Sequence, residues 1–434
     1  MADPVDVFVQ IAGQDVLAGQ LWSHRRRGSE SATFRYSSEY LVRADAYQLD
    51  PALGLFEGAQ QTAQGQKLFG AFADCAPDRW GRRLVERAER HRAEADADAQ
   101  RSFGEMDYLL RVRDDLRQGA LRFRYPDSEE FLAPEDIAIP PFLELGKLLG
   151  AADRLERDAE SAEELALLLR GGSSLGGARP KAHVLDPDGR ISIAKFPSQQ
   201  NDAWDVMLWE AVALQLAGMA GINVAAGKLY EIDHKHVVII ERFDRVHGQR
   251  IGYVSAMTML QASDGDSGSY LEIADVIAQF SPQAEHDLHE LWRRIVFSIL
   301  VSNFDDHLRN HGFLRLSSAG WSLSPAFDLN PDPRPGPRQL HTAIDFDRVD
   351  ARIEIAMSVA NEFRLSELAA VQIVGEVSGA TRQWREVARK LGATSSDLNE
   401  MAPAFEHEAA AEARALVEQG GRDFSGSIAP NSEL

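Results

Sequence analysis

The sequence predicts an α+β protein with a β-rich first half and a largely helical second half. Three observations lead to this prediction. Residues 5–22 alternate apolar and polar side chains around Gly13, as in an antiparallel hairpin. From about Met257 onward, apolar residues recur at helical spacing. Residues 302–314 crowd carboxylate, amide and imidazole groups between apolar segments, which indicates chemistry located in the helical half.

The first predicted domain covers residues 1–135 and is β-rich. A further strand at residues 33–36 follows the hairpin, and residues 80–90 have helical spacing. Prolines punctuate the next stretch, at Pro126, Pro134, Pro140 and Pro141. Because proline interrupts both helices and strands, we place a domain boundary there.

The second predicted domain covers residues 136–255. Ser161 and Glu164 are spaced as a capping box at the start of a leucine-rich helix. A glycine-serine loop, a strand, an apolar helix and a second hairpin at residues 224–243 follow it.

The third predicted domain covers residues 256–424 and is helical. The expected helices cover residues 270–280, 287–301, 353–363, 366–378, 381–391 and 397–419. A short hairpin at residues 313–323 interrupts them. Residues 425–434 have little capacity to pack and are expected to form a disordered tail.

Composition limits the class of protein. The formal net charge of −21 disfavours broad attraction to nucleic acid, whose phosphates require a basic surface. No apolar run approaches the ~18–20 residues of a membrane span, and the acidic start lacks the features of a secretory signal. Cys75 is the single cysteine, so an intrachain disulfide is excluded, and a buried apolar role is expected for it. We therefore expect a cytoplasmic protein.

Asp305, Asn310 and Asp328 are the candidate reactive residues. Phosphoryl transfer needs an acidic residue for the hydroxyl proton and oxygen ligands for magnesium. The spacing of Asp305 and Asn310 is that of a kinase catalytic loop, with Asp328 following the next hairpin. The alternative is a polar loop in which these residues only form turns.

Lys195 and the loop at residues 173–181 could form the nucleotide-binding part. Glycines allow close approach of the backbone to phosphate, and a strand lysine can reach phosphate oxygens. Glu210, on the helix that follows, could be the ion-pair partner of Lys195. The alternatives are a flexible turn and an edge-strand lysine that opposes aggregation.

Several motifs together resemble the HipA family of bacterial toxin kinases. They are P-D-R-W-G-R-R-L at 77–84, G-G-A-R-P-K at 176–181, I-A-K-F-P at 193–197, E-R-F-D-R at 241–245, N-F-D-D-H-L-R-N at 303–310 and S-P-A-F-D-L at 324–329. Their order and separations fit that family over nearly the whole chain.

The resemblance implies a two-lobed fold similar to phosphoinositide and protein kinases, and a serine/threonine kinase activity that uses ATP and Mg²⁺. It makes Asp305 the catalytic base, Asn310 and Asp328 the magnesium ligands, and Ser174 the autophosphorylated serine that switches the enzyme off. The implied ATP-binding residues are Gly176, Gly177, Ala178, Lys181, Lys195, Glu241, Phe243, Asp244 and His307.

The resemblance also implies a biological role and partners. The partner is a helix-turn-helix, HipB-like antitoxin that binds DNA. The target is a translation component such as an aminoacyl-tRNA synthetase, of which glutamyl-tRNA synthetase is the known type, and its phosphorylation causes growth arrest and persistence.

Two other functions remain open at this point. A metal-dependent phosphohydrolase could use Asp305, Asp306, His307 and His311 as ligands, but it would leave Lys195 without a role. A catalytically silent relative could serve only as an interaction subunit. All the expected catalytic positions are filled, which favours an active kinase.

Overall fold

The computed structural model describes residues 3–26, 28–132, 138–172, 177 and 179–426. The strands of these residues are β1 (Val5–Ile11), β2 (Gln14–Arg26), β3 (Ser29–Tyr36), β4 (Gln60–Gln61), β5 (Leu121–Arg124), β6 (Lys181–Leu185), β7 (Ile191–Lys195), β8 (Gly227–Ile232), β9 (Lys235–Glu241), β10 (Arg245–Val246), β11 (Gln249–Arg250), β12 (Gly252–Ser255), β13 (Gly312–Ser317) and β14 (Gly320–Leu323).

The helices of the same residues are α1 (Ser38–Leu41), α2 (Gly70–Asp74), α3 (Arg79–Ala95), α4 (Glu105–Arg111), α5 (Leu145–Glu156), α6 (Ala162–Gly171), α7 (Val206–Met219), α8 (Ala256–Met259), α9 (Tyr270–Phe280), α10 (Ala284–Val301), α11 (Ile353–Ser358), α12 (Glu367–Thr381), α13 (Trp384–Lys390), α14 (Ser395–Phe405) and α15 (Glu408–Gly426). Short 3-10 turns lie at Phe142–Glu144, Leu308–Asn310 and Ala360–Phe363.

The chain divides into two compact units that interleave along the sequence. The first comprises Met1–Ala203, Ala226–Gly265 and His311–Ser324; the second comprises Trp204–Ala225, Asp266–Asn310 and Pro325–Leu434. The strands named above belong to the first unit, and the long helices from α9 onward belong to the second. Helix α7 groups with the second unit and the hairpin β13–β14 with the first, so the domain limits drawn from the sequence remain a prediction.

The N-terminal sheet has the strand order β4-β3-β2-β1-β5. The hairpin expected around Gly13 is present, with Ile11 opposite Gln14. Ala12 and Gly13 both have positive φ, 48° and 78°, as in the tight turns that match the twist of paired strands. Cys75 is buried, as expected, and burial raises the pKa of its thiol to about 12.

The four-stranded sheet of the first unit has the order β6-β7-β9-β8, and one face of it packs on α3, α5 and α6. That face contributes Ala182, Ala194 and Ile239 to a core cluster. The predicted capping box starts α6, with Ser161 accepting from the backbone of Glu164 at 3.2 Å. Helix α6 therefore begins where the sequence predicts.

The second unit is built around α10, which is buried along most of its length. The indole of Trp292 donates to the carbonyl of Ala356 at 3.0 Å, which joins α10 to α11. The rings of Trp384 and Phe405 stack with centroids 4.7 Å apart. None of the helices in the described part of the chain combines the length and apolar character of a bilayer span.

The prediction of one helix over residues 397–419 is wrong, because α14 ends at Phe405 and α15 begins at Glu408. Pro403, in the last turn of α14, has no N–H to donate and so weakens the helix there. Glu406 then leaves the helical region with φ −111° and ψ 73°. Helix α15 includes the first two residues of the predicted tail, and residues 427–434 lie outside the described residues.

Candidate active site

The loop that carries Asp305 begins where α10 ends, at Ser302. Ser302 has a left-handed conformation with φ 57°, which terminates the helix. Its buried hydroxyl donates to the carbonyl of Ala404 at 2.8 Å. The loop therefore leaves the core of the second unit from a fixed point.

Asp305 lies between two residues whose backbone carbonyls accept hydrogen bonds. The N–H of His341 donates to Phe304 O at 2.9 Å, and the hydroxyl of Thr342 donates to Asp306 O at 2.6 Å. The side chain of Asp305 itself is exposed. A carboxylate that faces solvent from a fixed backbone suits a base that must meet an incoming hydroxyl.

The neighbouring carboxylate of Asp306 points into the protein instead. Asp306 is buried and accepts a hydrogen bond of 2.5 Å from the hydroxyl of Tyr270. Burial and the charge of Asp306 raise the pKa of Tyr270 well above its usual value. Asp306 therefore supports the loop, which disfavours the metal-ligand role that a phosphohydrolase would give it. Across the described ranges, no group of three or more His, Cys, Asp or Glu side chains is arranged to hold a metal ion.

Asn310 closes the loop onto the backbone of Asp305. Its side-chain amide nitrogen donates to Asp305 O at 3.1 Å, and its backbone N–H donates to His307 O at 2.8 Å. Because the amide nitrogen is used in this way, the side-chain oxygen of Asn310 is left to act as a ligand.

Asp328 belongs to a segment that is tied to the same loop. Asp328 has a left-handed φ of 59°, and the side-chain nitrogen of Asn330 donates to its carboxylate at 3.2 Å. The N–H of Asn330 donates to the side chain of Asn303 at 2.9 Å. A carboxylate and an amide oxygen in one unit are ligands that Mg²⁺ prefers, so the donor set of Asn310 and Asp328 fits this ion.

Lys195, in the first unit, is the last residue of β7. It lies opposite Lys181 on β6 and Val238 on β9. Directly opposed residues point to the same side of a sheet, and the core cluster occupies the other side. Lys195 therefore stands on the face of the sheet that does not carry this cluster. Glu210 is buried on α7, and its pairing with Lys195 remains a prediction.

Lys181, predicted to bind ATP, forms a buried ion pair with Asp78. Its Nζ donates to Asp78 Oδ2 at 2.7 Å, and the two side chains are 5% and 4% exposed. The other carboxylate oxygen of Asp78 caps α3, and the indole of Trp80 donates to Lys181 O at 2.9 Å. A Cβ added at Gly177 would lie 2.9 Å from Lys181 Nζ, so glycine allows the loop to approach this lysine.

The segment at residues 241–245 follows β9 directly. The carboxylate of Glu241 pairs with Arg190 at 2.8 Å, and its backbone N–H donates to Ala226 O at 2.8 Å. The ring of Phe243 lies 6.3 Å from that of Tyr253. The carboxylate of Asp244 is buried and engaged by arginine side chains rather than open to a nucleotide.

The remaining predicted site residues are in two places. Ser174, Gly176 and Ala178 lie outside the described residues. His307 is half-buried on the loop that carries Asp305, where its ring lies 5.9 Å from that of His341.

Residues 173–412 match the family described as HipA-like C-terminal domain, and this match covers more than half of the chain. The chain belongs to the HipA family. The resemblance read from the sequence motifs is thereby confirmed.

The chain is also similar to individual proteins. "Putative kinase Y4dM" of Sinorhizobium fredii is 30% identical over 152 residues, which are 32% of this chain and about a third, 36%, of that protein. HipA of Shewanella oneidensis MR-1, solved with HipB and its operator DNA, has 16% identity and a TM-score of 0.64, covering 96% of this chain and 97% of its own. The Helicobacter pylori proinflammatory kinase CtkA has 16% identity and a TM-score of 0.44, covering 59% of this chain and 95% of its own.

The likeness to Shewanella HipA confirms the predicted fold class, an α+β kinase-like fold. The sequence missed residues that support the candidate site. Tyr270 was seen only as the start of a helix, and Asp78 only as part of a motif. The P-D-R-W motif was the available signal for Asp78 and Trp80, because a cap residue and a large aromatic stand together there.

His183 gives the first testable prediction, on pH dependence. Its Nδ1 lies 2.9 Å from Gly171 O and its Nε2 lies 3.3 Å from Arg242 Nη1. Burial, and then the charge of Arg242, lowers the pKa of His183 from 6.5 to about 3. Between these two pKa values His183 is protonated in the unfolded chain and neutral in the folded chain. The stability that depends on neutral His183 is therefore fully present above pH 6.5 and is lost as the pH falls towards 3.

Between pH 7.5 and 5.5 we expect this histidine to remove about 1 kcal/mol of unfolding free energy. A His183→Gln variant should lose correspondingly less stability than the wild type over that interval. The measurement is chemical denaturation of both proteins at the two pH values. Equal losses in the two proteins would contradict the neutral state of His183.

Proposed function

We propose that this HipA-family chain is an ATP- and Mg²⁺-dependent serine/threonine protein kinase. The observation on which the proposal depends is the hydrogen bond of 3.1 Å from Asn310 Nδ2 to Asp305 O, which closes the catalytic loop while the Asp305 carboxylate stays exposed. The family assignment and the name of the Sinorhizobium fredii relative support a kinase.

In this proposal Asp305 is the catalytic base. Its carboxylate would accept the proton of a serine or threonine hydroxyl as that oxygen attacks the terminal phosphorus of ATP, while the bond from this phosphorus to the bridging oxygen breaks and ADP leaves. The hydrogen bonds to the carbonyls of Phe304 and Asp306 hold the backbone on both sides of Asp305, so the backbone does not have to be ordered during the reaction.

Asn310 and Asp328 would hold Mg²⁺ in the same proposal. The ion supplies positive charge to the phosphate oxygens when it is bound. Asn310 contributes a neutral oxygen and Asp328 a negative one, and both are oriented by hydrogen bonds to neighbouring residues. Lys195 adds a positive charge for phosphate oxygens, and the backbone at Glu241 and Phe243 would contact adenine.

The loop at residues 173–181 would cover the phosphates through Gly176, Gly177 and Ala178. Ser174 would be its autophosphorylation site. A phosphate there adds roughly −1.5 to −2 charges, which repel the phosphates of ATP. Phosphorylation of Ser174 would therefore switch the enzyme off.

We further propose that the protein is the cytoplasmic toxin of a toxin–antitoxin pair. Its partner would be a HipB-like antitoxin through which DNA is bound, and the complex of Shewanella HipA with HipB and operator DNA supports this choice. Its substrate would be a translation component such as an aminoacyl-tRNA synthetase of the glutamyl-tRNA synthetase type. Phosphorylation of that target would cause growth arrest and persistence.

The test is intact-mass analysis after incubation with ATP and Mg²⁺. We expect the wild type and the matched Ser173→Ala control to gain one phosphate, and Ser174→Ala to gain none. A phosphate gained by Ser174→Ala but not by Ser173→Ala would identify Ser173 as the autophosphorylation site. A wild type that neither gains phosphate nor binds ATP would contradict the kinase assignment.

A further inference from the structure

The residues that follow β9 contain a buried ion pair. The guanidinium of Arg242 donates to both carboxylate oxygens of Asp244, through Nε at 2.8 Å and Nη2 at 2.7 Å. The two side chains are 1% and 4% exposed. Two parallel hydrogen bonds of this kind fix the relative orientation of both groups. The pair therefore stiffens the chain directly beside Glu241 and Phe243.

The same pair is bound to a distant part of the chain, residues 116–119. Arg242 donates to Leu116 O at 2.7 Å and to Arg117 O at 3.0 Å. In the opposite direction, the N–H of Gly119 donates to Asp244 Oδ2 at 2.7 Å. These bonds use backbone groups of residues 116–119, so they fix the position of that segment independently of most of its side chains.

Arg245 and Gly119 complete this contact. Arg245 donates to Arg117 O at 2.5 Å, to Gly119 O at 3.2 Å and to Asp244 Oδ2 at 2.8 Å. Gly119 has φ +75°, and a Cβ added to it would lie 3.2 Å from Tyr253 N. Glycine is therefore required for the conformation that directs the N–H of residue 119 at Asp244.

The charges in this contact depend on each other. Burial lowers the pKa of Arg245 to about 9, although the negative charge of Asp244 opposes that shift. Burial alone would raise the pKa of Asp244, but Arg242 and Arg245 lower it below its usual range. Without the charge of Asp244, two arginines would remain buried without their common partner, and the chain would rearrange to relieve them.

We propose that residues 116–119, Arg242 and Asp244 form a clamp that holds the backbone of residues 241–243 in the conformation that binds adenine. Arg242 and Asp244 are then positioning residues, and Asp244 does not touch the nucleotide. The β-rich N-terminal part of the chain thus contributes to ATP affinity. This inference rests on the proposed kinase function.

The test compares Asp244→Asn with the wild type. A displaced backbone loses about one hydrogen bond to adenine, so the Kd for a fluorescent ATP analogue and the KM for ATP should rise about tenfold. Because Asp305, Asn310 and Asp328 are unchanged, kcat should stay within about twofold. If Asp244→Asn does not fold, Arg245→Lys removes part of the same contact and should raise Kd several-fold.

Glu160→Gln is the matched control. Glu160 forms an ion pair of 2.8 Å with Arg87, and the side chains are 2% and 9% exposed. This pair lies in the same unit but does not involve residues 116–119 or 241–245. We expect Glu160→Gln to lower thermal stability by about as much as Asp244→Asn does, while Kd and KM for ATP stay unchanged.

The outcomes separate the two proposals. Wild-type affinity in Asp244→Asn, or the same rise in Kd for Glu160→Gln, would overturn the clamp and leave the kinase assignment intact. A wild-type protein that does not bind the ATP analogue would overturn both.

Discussion

Replacing Asp305 with asparagine is expected to lower kcat for phosphoryl transfer by about two to four orders of magnitude. The substitution keeps the size of the side chain but removes the group that accepts the hydroxyl proton. The side chain is exposed, and the hydrogen bonds that hold this loop involve backbone carbonyls at Phe304, Asp305 and Asp306. Folding and ATP affinity should therefore be preserved. The measurement combines single-turnover phosphate transfer with the Kd for ATP.

Asp306→Asn is the matched control, because it removes the adjacent carboxylate. This carboxylate is buried against the hydroxyl of Tyr270, so its loss should destabilise the protein by about 1–3 kcal/mol. Asp305→Asn should thus lose turnover at normal stability, whereas Asp306→Asn should lose stability. If Asp305→Asn retains turnover close to that of the wild type, Asp305 is not the base.

Local signals in the sequence predicted much of this fold. The hairpin at Gly13 and the capping box at Ser161 and Glu164 each depend on residues within a few positions of one another. The spacing of Asp305 and Asn310 is also a local feature, because a single short turn brings the two residues together. Such features are determined by the backbone conformations that their own residues prefer.

Long-range pairing is what the sequence did not reveal. Lys181 and Asp78 are 103 positions apart, and Gly119 and Asp244 are 125 positions apart. No local preference selects such partners, since both depend on which segments pack together. The HipA resemblance implied a nucleotide contact for Asp244, whereas its burial between arginines became visible only in the folded chain.

Replacing Asp328 with asparagine is expected to weaken the binding of Mg²⁺ and to lower kcat about as strongly as Asp305→Asn does. Asp328 has φ 59°, a conformation that asparagine adopts readily and alanine adopts at a cost of roughly 1 kcal/mol. Asparagine therefore removes the negative charge without straining the backbone. We expect the Mg²⁺ concentration for half-maximal activity to rise more than about tenfold and kcat to fall about 100-fold, because a neutral oxygen binds Mg²⁺ more weakly than a carboxylate.

Asp332→Asn is the control that distinguishes the loss of a metal ligand from the loss of a nearby negative charge. Asp332 lies on the same segment, but its carboxylate is already paired with Arg334, at 2.5 Å. Its removal changes the net charge equally and should leave the Mg²⁺ dependence unchanged. Titration of phosphoryl transfer with Mg²⁺ at saturating ATP compares the variants. Equal shifts in both would show that general electrostatics governs the metal response, and no shift in Asp328→Asn would exclude Asp328 as a ligand.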